Sequence, residues 1–207
     1  MQRDTHNQAT HQRLAQHEVE KWENDRVYWE EKLPIMALLS QFFTLTPIFQ
    51  NKIATASTDG RHIYFNPSYS ASLSIEARRF LHAHLIWHCV AGHLTAPLVE
   101  NPKHWHLACD HEVNTLLLEL GIELPMDALI FPVCLGRSAF DVYRWLAGHP
   151  NTSTEITIDI HPAALWTHLA DIQPSPGLPN LWRRRAHLIA RESPALPDKV
   201  AKFCESR

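Results

Sequence analysis

The sequence predicts an α+β fold that is mostly helical and contains one β-hairpin. Two long central segments have the apolar content of buried helices, and each ends at a helix-terminating residue, Pro97 or Gly121. Ahead of them, residues 53–67 are rich in β-prone residues and contain the turn dipeptide Asp59-Gly60. This order of helices, hairpin and further helices, with no internal repeat, indicates one α+β domain.

The N-terminal part of the chain is predicted to form two helices. Residues 1–33 are polar with sparse apolar positions, which indicates a mostly exposed amphipathic helix ahead of a main domain at 34–207. Pro34 suits the first turn of a second helix, and the segment from Ile35 to Leu45 is apolar enough to be buried.

The two central helices follow the hairpin. Ser74 is a suitable cap for the first, which is expected to run from about Ile75 to Ala96. The second is expected from about Trp105 to Leu120. The remaining predicted elements are a helix at Ala139 to Ala147, a strand at Thr154 to Ile160 and a basic helix at Leu181 to Glu192.

Composition excludes several classes of partner and location. A net charge of -3 gives no polybasic surface for a nucleic acid. The N-terminus is polar, and no apolar stretch reaches the roughly 20 residues of a membrane span. The four cysteines are scattered without a C-x-x-C pair, which favours a reducing cytoplasm.

Histidine is the unusual residue: the chain has fifteen. His84 and His88 lie one helical turn apart on the same face, which is the spacing of the two metal ligands in H-E-x-x-H zinc peptidases. In those enzymes the glutamate after the first histidine is the general base, and here that position is Leu85. The motif therefore predicts a metal site that lacks the usual base.

Asp110 is the best candidate for a third ligand. It lies on the second central helix, whose apolar residues indicate a core-facing surface, and a buried carboxylate needs a partner. Zinc bridging Asp110 to the two histidines would provide one. The alternative is a metal-free core in which Asp110 accepts hydrogen bonds from His84 or from a backbone amide.

The other histidines are not predicted to be ligands. Helical periodicity places His82 and His93 on faces away from His84. His104, His106 and His111 are expected to be loop or surface residues.

Several stretches in fixed order resemble a bacterial family of metallopeptidase-type domains. The similarity covers roughly residues 34 to 205. Members often stand ahead of a von Willebrand factor A-like domain and are encoded beside MoxR-type ATPases. The matching stretches are Thr58 to Pro67, His84 to His93, Trp105-x-x-Ala108-x-Asp110-x-x-x-Asn114, Leu124-Pro125, Asp159-x-His161 with Trp166, and Leu196-Pro197.

The resemblance implies a zincin-like fold with the hairpin packed by the metal helix, and a bound zinc ion. It implies that His84, His88 and Asp110 are the metal ligands and that His161 approaches the site. Leu85 stands where the family has its catalytic glutamate. The partners it implies are a protein or peptide ligand, a MoxR-type ATPase or a von Willebrand factor A-like domain.

Three functions remain open from the sequence. The first is a metal-binding, metallopeptidase-like protein that is catalytically impaired and acts in binding or regulation. The second is an active zinc-dependent hydrolase whose base comes from elsewhere, although Glu112 is predicted to face away and Glu76 lies two turns upstream. The third is a metal-free structural module. For the first two functions, the hairpin arm from Ile63 to Phe65 is expected to lie beside the metal helix as a substrate-binding edge strand.

Overall fold

A computed structural model describes residues 2–49, 53–149, 155–169, 172, 175–193 and 195–206. The predicted α+β, mostly helical fold is confirmed. The helices are α1 Gln2–Lys32, α2 Pro34–Ser40, α3 Pro67–Ser72, α4 Ile75–Val90, α5 Pro102–Glu119, α6 Ala139–Ala147, α7 Leu165–His168, α8 Leu178–Glu192 and α9 Asp198–Glu205. The strands are β1 Thr44–Pro47, β2 Ala56–Thr58 and β3 His62–Phe65.

The predicted hairpin is confirmed, with its turn at Asp59-Gly60. Strands β2 and β3 pair antiparallel. The Asp59 carboxylate closes the turn by accepting hydrogen bonds from the backbone amides of Arg61 at 2.7 Å and His62 at 2.6 Å. Gly60 adopts a φ of 84°, a left-handed conformation that side chains other than glycine rarely adopt.

The sheet corrects two expectations. The second helix ends at Ser40, and Leu45 lies in strand β1, which pairs parallel to β3. The apolar run is therefore shared between a helix and a strand, because pairing with β3 outweighs helix propensity there. As a result β3 is the central strand, in the order β1-β3-β2, so the arm from Ile63 to Phe65 is not an edge strand. Strand β2 contacts helix α4, and Ile63 and Phe65 of β3 share the main hydrophobic core with residues of α4.

Helix α1 contributes to the main hydrophobic core. Residues 8–13 of this helix are exposed, as predicted, but Trp22 and Trp29 are buried against residues of α4. Trp87 of α4 and Trp182 of α8 belong to the same core. A second cluster lies between α5 and α6 and includes Trp105. Among the described residues, no helix is both long and apolar enough to cross a bilayer.

The C-terminal third differs from prediction in detail. Helix α6 has the predicted bounds, and the basic helix begins earlier, at Leu178. No strand forms over residues 155–160, and Thr154 lies outside the described residues. This segment is held by contacts to β2, as described below, rather than by a regular ladder.

Candidate metal centre

Helix α4 places His84 and His88 on one buried face. Ser74 caps the helix as predicted, accepting a hydrogen bond from the Ala77 amide at 3.1 Å. Both histidines are fully buried, and their Nε2 atoms lie 2.9 Å apart. The spacing of one helical turn therefore brings both rings to one point.

Helix α4 ends at Val90 rather than at Ala96. Gly92 adopts a φ of 82°, and the His93 amide donates to the His88 carbonyl at 2.8 Å. This glycine-terminated motif reverses the chain after the last turn. His93 therefore folds back toward His88, and the expectation that it faces away was wrong because it extended the helix through Gly92.

Helix α5 brings Asp110 to the histidine pair. Asn101 caps this helix by accepting from the His104 amide at 3.0 Å, and Pro102 occupies its first turn. Asp110 Oδ1 lies 3.4 Å from His88 Nε2 and 3.7 Å from His84 Nε2. The structure thus brings together the three residues that the sequence proposed as ligands.

Asp159 completes the cluster and was not predicted as a ligand. Its carboxylate lies 3.9 Å from His84 Nε2 and 3.7 Å from His88 Nε2. The next residue, Ile160, donates its amide to the Ala56 carbonyl at 2.9 Å and accepts from the Ser57 hydroxyl at 2.6 Å. The outer edge of β2 therefore positions Asp159. The Asp159-x-His161 pattern was the only signal for it in the sequence.

Hydrogen bonds outside the cluster fix the tautomer of His84. Its Nδ1 lies 2.8 Å from Asn114 Oδ1, and Asn114 Nδ2 donates to the Leu129 carbonyl at 2.9 Å. The amide oxygen of Asn114 therefore faces His84 and accepts from Nδ1–H. Nε2 of neutral His84 then presents its lone pair to the cluster, as metal ligation requires.

A relay of hydrogen bonds, from Glu112 through His93, fixes the tautomer of His88 in the same way. Glu112 Oε2 lies 3.0 Å from His93 Nε2, and Glu112 Oε1 accepts from the Ala139 amide at 3.1 Å. Because the carboxylate accepts from His93 Nε2–H, His93 Nδ1 accepts from His88 Nδ1–H, at 3.0 Å. The Nε2 lone pair of His88 therefore also faces the cluster. Glu112 faces away from Asp110, as predicted, yet supports the site through His93.

Protons balance the buried charge when no metal is bound. Burial alone would lower the pKa of His84, but Asp110 and Asp159 raise it to about 10. Burial and the charge on His84 lower the pKa of His88 to about 4. One proton therefore lies between the two Nε2 atoms. Burial opposes charge on His106 too, but the same carboxylates raise its pKa.

The geometry fits a four-coordinate metal ion. Asp110 Oδ1 and Asp159 Oδ2 are buried and accept no hydrogen bond from the described part of the chain. One ligand atom from each of His84, His88, Asp110 and Asp159 lies within 4.8 Å of all the others. Tetrahedral zinc with bonds of about 2.0–2.2 Å separates its ligand atoms by roughly 3.3–3.6 Å. The histidine–carboxylate separations of 3.4 to 3.9 Å are close to that value, and the two Nε2 atoms, at 2.9 Å, lie slightly closer together than in such a site.

His106 and His161 adjoin the cluster. His106 Nε2 lies 2.8 Å from Asp159 Oδ1 and 3.4 Å from Asp110 Oδ1, so the expectation of a loop or surface role was wrong. The His161 ring lies 5.0 Å from that of His106, centroid to centroid. Together with Asp159, both line a cavity of about 500 Å³ that opens beside the cluster.

The remaining candidates lie elsewhere. His82 is buried between the rings of Trp22 and Trp29, away from the cluster as predicted. His111 is buried, and its Nε2 donates to the Cys134 carbonyl at 3.0 Å. Leu85 is fully buried within the main hydrophobic core.

Comparison with known proteins agrees with this site. Residues 8–147 match a family model described as a putative metallopeptidase domain. The match covers more than half of the chain, so the chain belongs to this family. It includes His84, His88 and Asp110 and ends before Asp159 and His161. Comparison with curated proteins and with solved structures finds no match to this chain.

Proposed function

We propose that this protein binds zinc through His84, His88, Asp110 and Asp159, and that it is catalytically impaired and acts in binding or regulation. The observation that supports this proposal is that four protein ligand atoms converge on one point. Catalytic zinc sites use three protein ligands and keep the fourth position for water, whereas structural sites are closed. When bound, zinc would neutralise the two buried carboxylates.

Leu85 supports the same proposal from a second direction. A leucine cannot take a proton from water, and this one is fully buried in the core. Loss of a general base typically costs about 10² to 10⁴ in rate. Glu112 is hydrogen-bonded to His93 and Ala139, and Glu76 is exposed at the start of α4, so neither replaces the missing base.

Metal content and proteolysis test the proposal together. We expect about one zinc per chain by elemental analysis, and no turnover of unfolded protein substrates above background. The double variant Leu85→Glu, Asp159→Asn supplies a base and opens a coordination position, so we expect it to gain chelator-sensitive turnover. Each single variant is the control for the other. Chelator-sensitive proteolysis by the unmodified chain would contradict the proposal.

A working hydrolase is the second candidate function, and the position of His106 is the observation that favours it. Its ring lies in the cavity wall next to both carboxylates, so a substrate bound in the cavity would meet a group that can donate or accept a proton. In that case His106→Ala would abolish turnover by the unmodified chain. Purified protein that takes up no zinc would instead indicate a metal-free structural module.

The zincin-like class, the partners and the location are also proposals. A MoxR-type ATPase, a von Willebrand factor A-like protein or a peptide ligand would be the partner of the regulatory role. A reducing cytoplasm is supported by four buried cysteines without a disulfide, all within the described residues. Co-purification from cells, with the His84→Ala variant as a control, tests the partners.

A further inference from the structure

We infer that the cavity beside the metal cluster binds small acyl compounds, with the carbonyl or carboxylate oxygen on His161 and an apolar chain along the cavity wall. This inference rests on the proposed function, because it names the ligand class of the same site. Three observations carry it: an unpartnered donor on His161, the lining of the cavity and the blocked edge of β2.

His161 has a fixed tautomer and a donor without an acceptor. The Ala163 amide donates to His161 Nδ1 at 3.1 Å, so Nδ1 carries the lone pair and Nε2 carries the hydrogen. His161 is 6% exposed, and Nε2 has no hydrogen-bond partner among the described residues. The same tautomer cannot ligate a metal through Nε2, so His161 is available for an oxygen acceptor.

His111 shows what a purely structural histidine of this kind looks like. Its Nδ1 also accepts from a backbone amide, that of Phe131, at 3.1 Å. Its Nε2 donates to the Cys134 carbonyl, so both ring nitrogens are satisfied by the protein. A buried donor without an acceptor is costly. The difference between the two rings therefore indicates that the acceptor for His161 comes from a ligand.

The rest of the cavity selects an apolar chain. Its volume is about 500 Å³, within the usual range for small-molecule sites. Trp105 is 5% exposed, and its Nε1 is a second donor that has no acceptor in the described part of the chain. The apolar lining residues are Ala96, Pro102, Ile160, Ala163 and Ala164.

The edge of β2 argues against an extended polypeptide as the ligand. A peptide that adds a strand to a sheet needs unpaired backbone groups along the edge. Here the Ala56 carbonyl accepts from Ile160, and Ile160 also accepts from the Ser57 side chain. The protein's own segment therefore occupies this edge, and a small acyl compound fits the space that remains.

Calorimetric titration with straight-chain alkanoates of two, four, six and eight carbons tests the inference on the zinc-loaded chain. We expect affinity to rise about fourfold for each added methylene, as burial of apolar surface requires. Ala164→Phe, which fills the cavity, should abolish this chain-length dependence. Equal affinity for acetate and octanoate, or an unchanged dependence in Ala164→Phe, would overturn the inference.

Two amide variants test the donor. His161→Asn keeps an acceptor for the Ala163 amide but loses the Nε2 donor, so octanoate affinity should fall roughly 10- to 100-fold. His161→Gln keeps an N–H donor near the Nε2 position and should stay close to the unmodified chain. His17→Asn, at an exposed histidine of α1 outside the cavity, is the matched control. An equal loss in all three variants would contradict the assignment to His161.

Zinc content of every variant separates the two proposals. Chain-length-dependent binding that requires His161 in protein without zinc would support the cavity and contradict the proposed metal function. Full zinc content without alkanoate binding would support the metal site and overturn the cavity.

Discussion

Helix α4 carries two buried polar clusters, which balance their charges by different means. In one, the Asp25 carboxylate of α1 accepts hydrogen bonds from Arg78 at 2.8 and 2.9 Å and from Arg79 at 3.2 Å. In the other, the charged or ionisable groups paired with Asp110 and Asp159 in the described part of the chain are histidine rings. Burial raises the pKa of Asp25, and the hydrogen bonds and charges of Arg78 and Arg79 oppose that rise.

This difference means that the Asp25 cluster has a permanent charge balance, whereas the protons of the His84 cluster can be exchanged for a metal ion. Arginine cannot lose its proton in a protein, so the Asp25 cluster carries a permanent counter-charge. Histidine can lose its proton, and a metal ion can then take its place. We therefore expect the Asp25 cluster to govern folding and the His84 cluster to govern metal binding, each with little effect on the other.

Breaking the Asp25 cluster should have the largest effect. Arg78→Ala leaves a buried carboxylate without its bidentate partner, which costs about 3–5 kcal/mol of unfolding free energy. The loss should be the same with and without a chelator in urea denaturation. Arg79→Ala is the control, since this side chain is 28% exposed and makes one hydrogen bond to Asp25, so its loss should cost less than that of Arg78. Similar losses in both variants would contradict the comparison.

Removing a carboxylate from the metal cluster should act on zinc instead. Changes to groups around metal ligands cost 10–100-fold in affinity, so Asp110→Asn or Asp159→Asn should cost roughly 100-fold or more. After treatment with a chelator, the variants should have the same unfolding free energy as the unmodified protein, because each change removes a buried charge. If Asp159→Asn leaves zinc affinity unchanged, the ligand set has three members and the site is of the open type.

Local sequence signals predicted one half of this site and could not predict the other. His84 and His88 follow from helical spacing, and the hairpin follows from Asp59-Gly60, because both depend on neighbouring residues. Asp159 depends on the contact of Ile160 with the far-distant strand β2, which no local pattern encodes. His93 was misplaced because Gly92, a known helix terminator, was treated as a helical residue.

The relay from Glu112 through His93 should have an intermediate effect on zinc. His93→Phe removes the acceptor that fixes the His88 tautomer, so zinc affinity should fall 10- to 100-fold. Glu112→Gln retains an acceptor oxygen and should lose less. His104→Phe, at a neighbouring histidine outside the relay, is the control, and competition with a chromogenic chelator measures all three. Unchanged affinity in His93→Phe would show that the relay does not support ligation.

The pH dependence of zinc affinity distinguishes the Asp25 cluster from the His84 cluster directly. The carboxylates raise the pKa of metal-free His84 to about 10, and zinc needs its unprotonated Nε2. Zinc binding should therefore displace one proton between pH 6 and 9, and affinity should rise about tenfold per pH unit over that range. His88, with a pKa of about 4, is already unprotonated there and adds nothing to the slope.

Calorimetry in buffers of different ionisation enthalpy counts the released proton. Asp110→Asn removes part of the charge that holds the proton on His84, so it should release less than one proton and flatten the slope. Arg78→Lys, in the Asp25 cluster, keeps its counter-charge and should leave the slope unchanged. A slope near zero in the unmodified protein would mean that His84 is already deprotonated before zinc binds. The two clusters of α4 would then not differ in the way proposed.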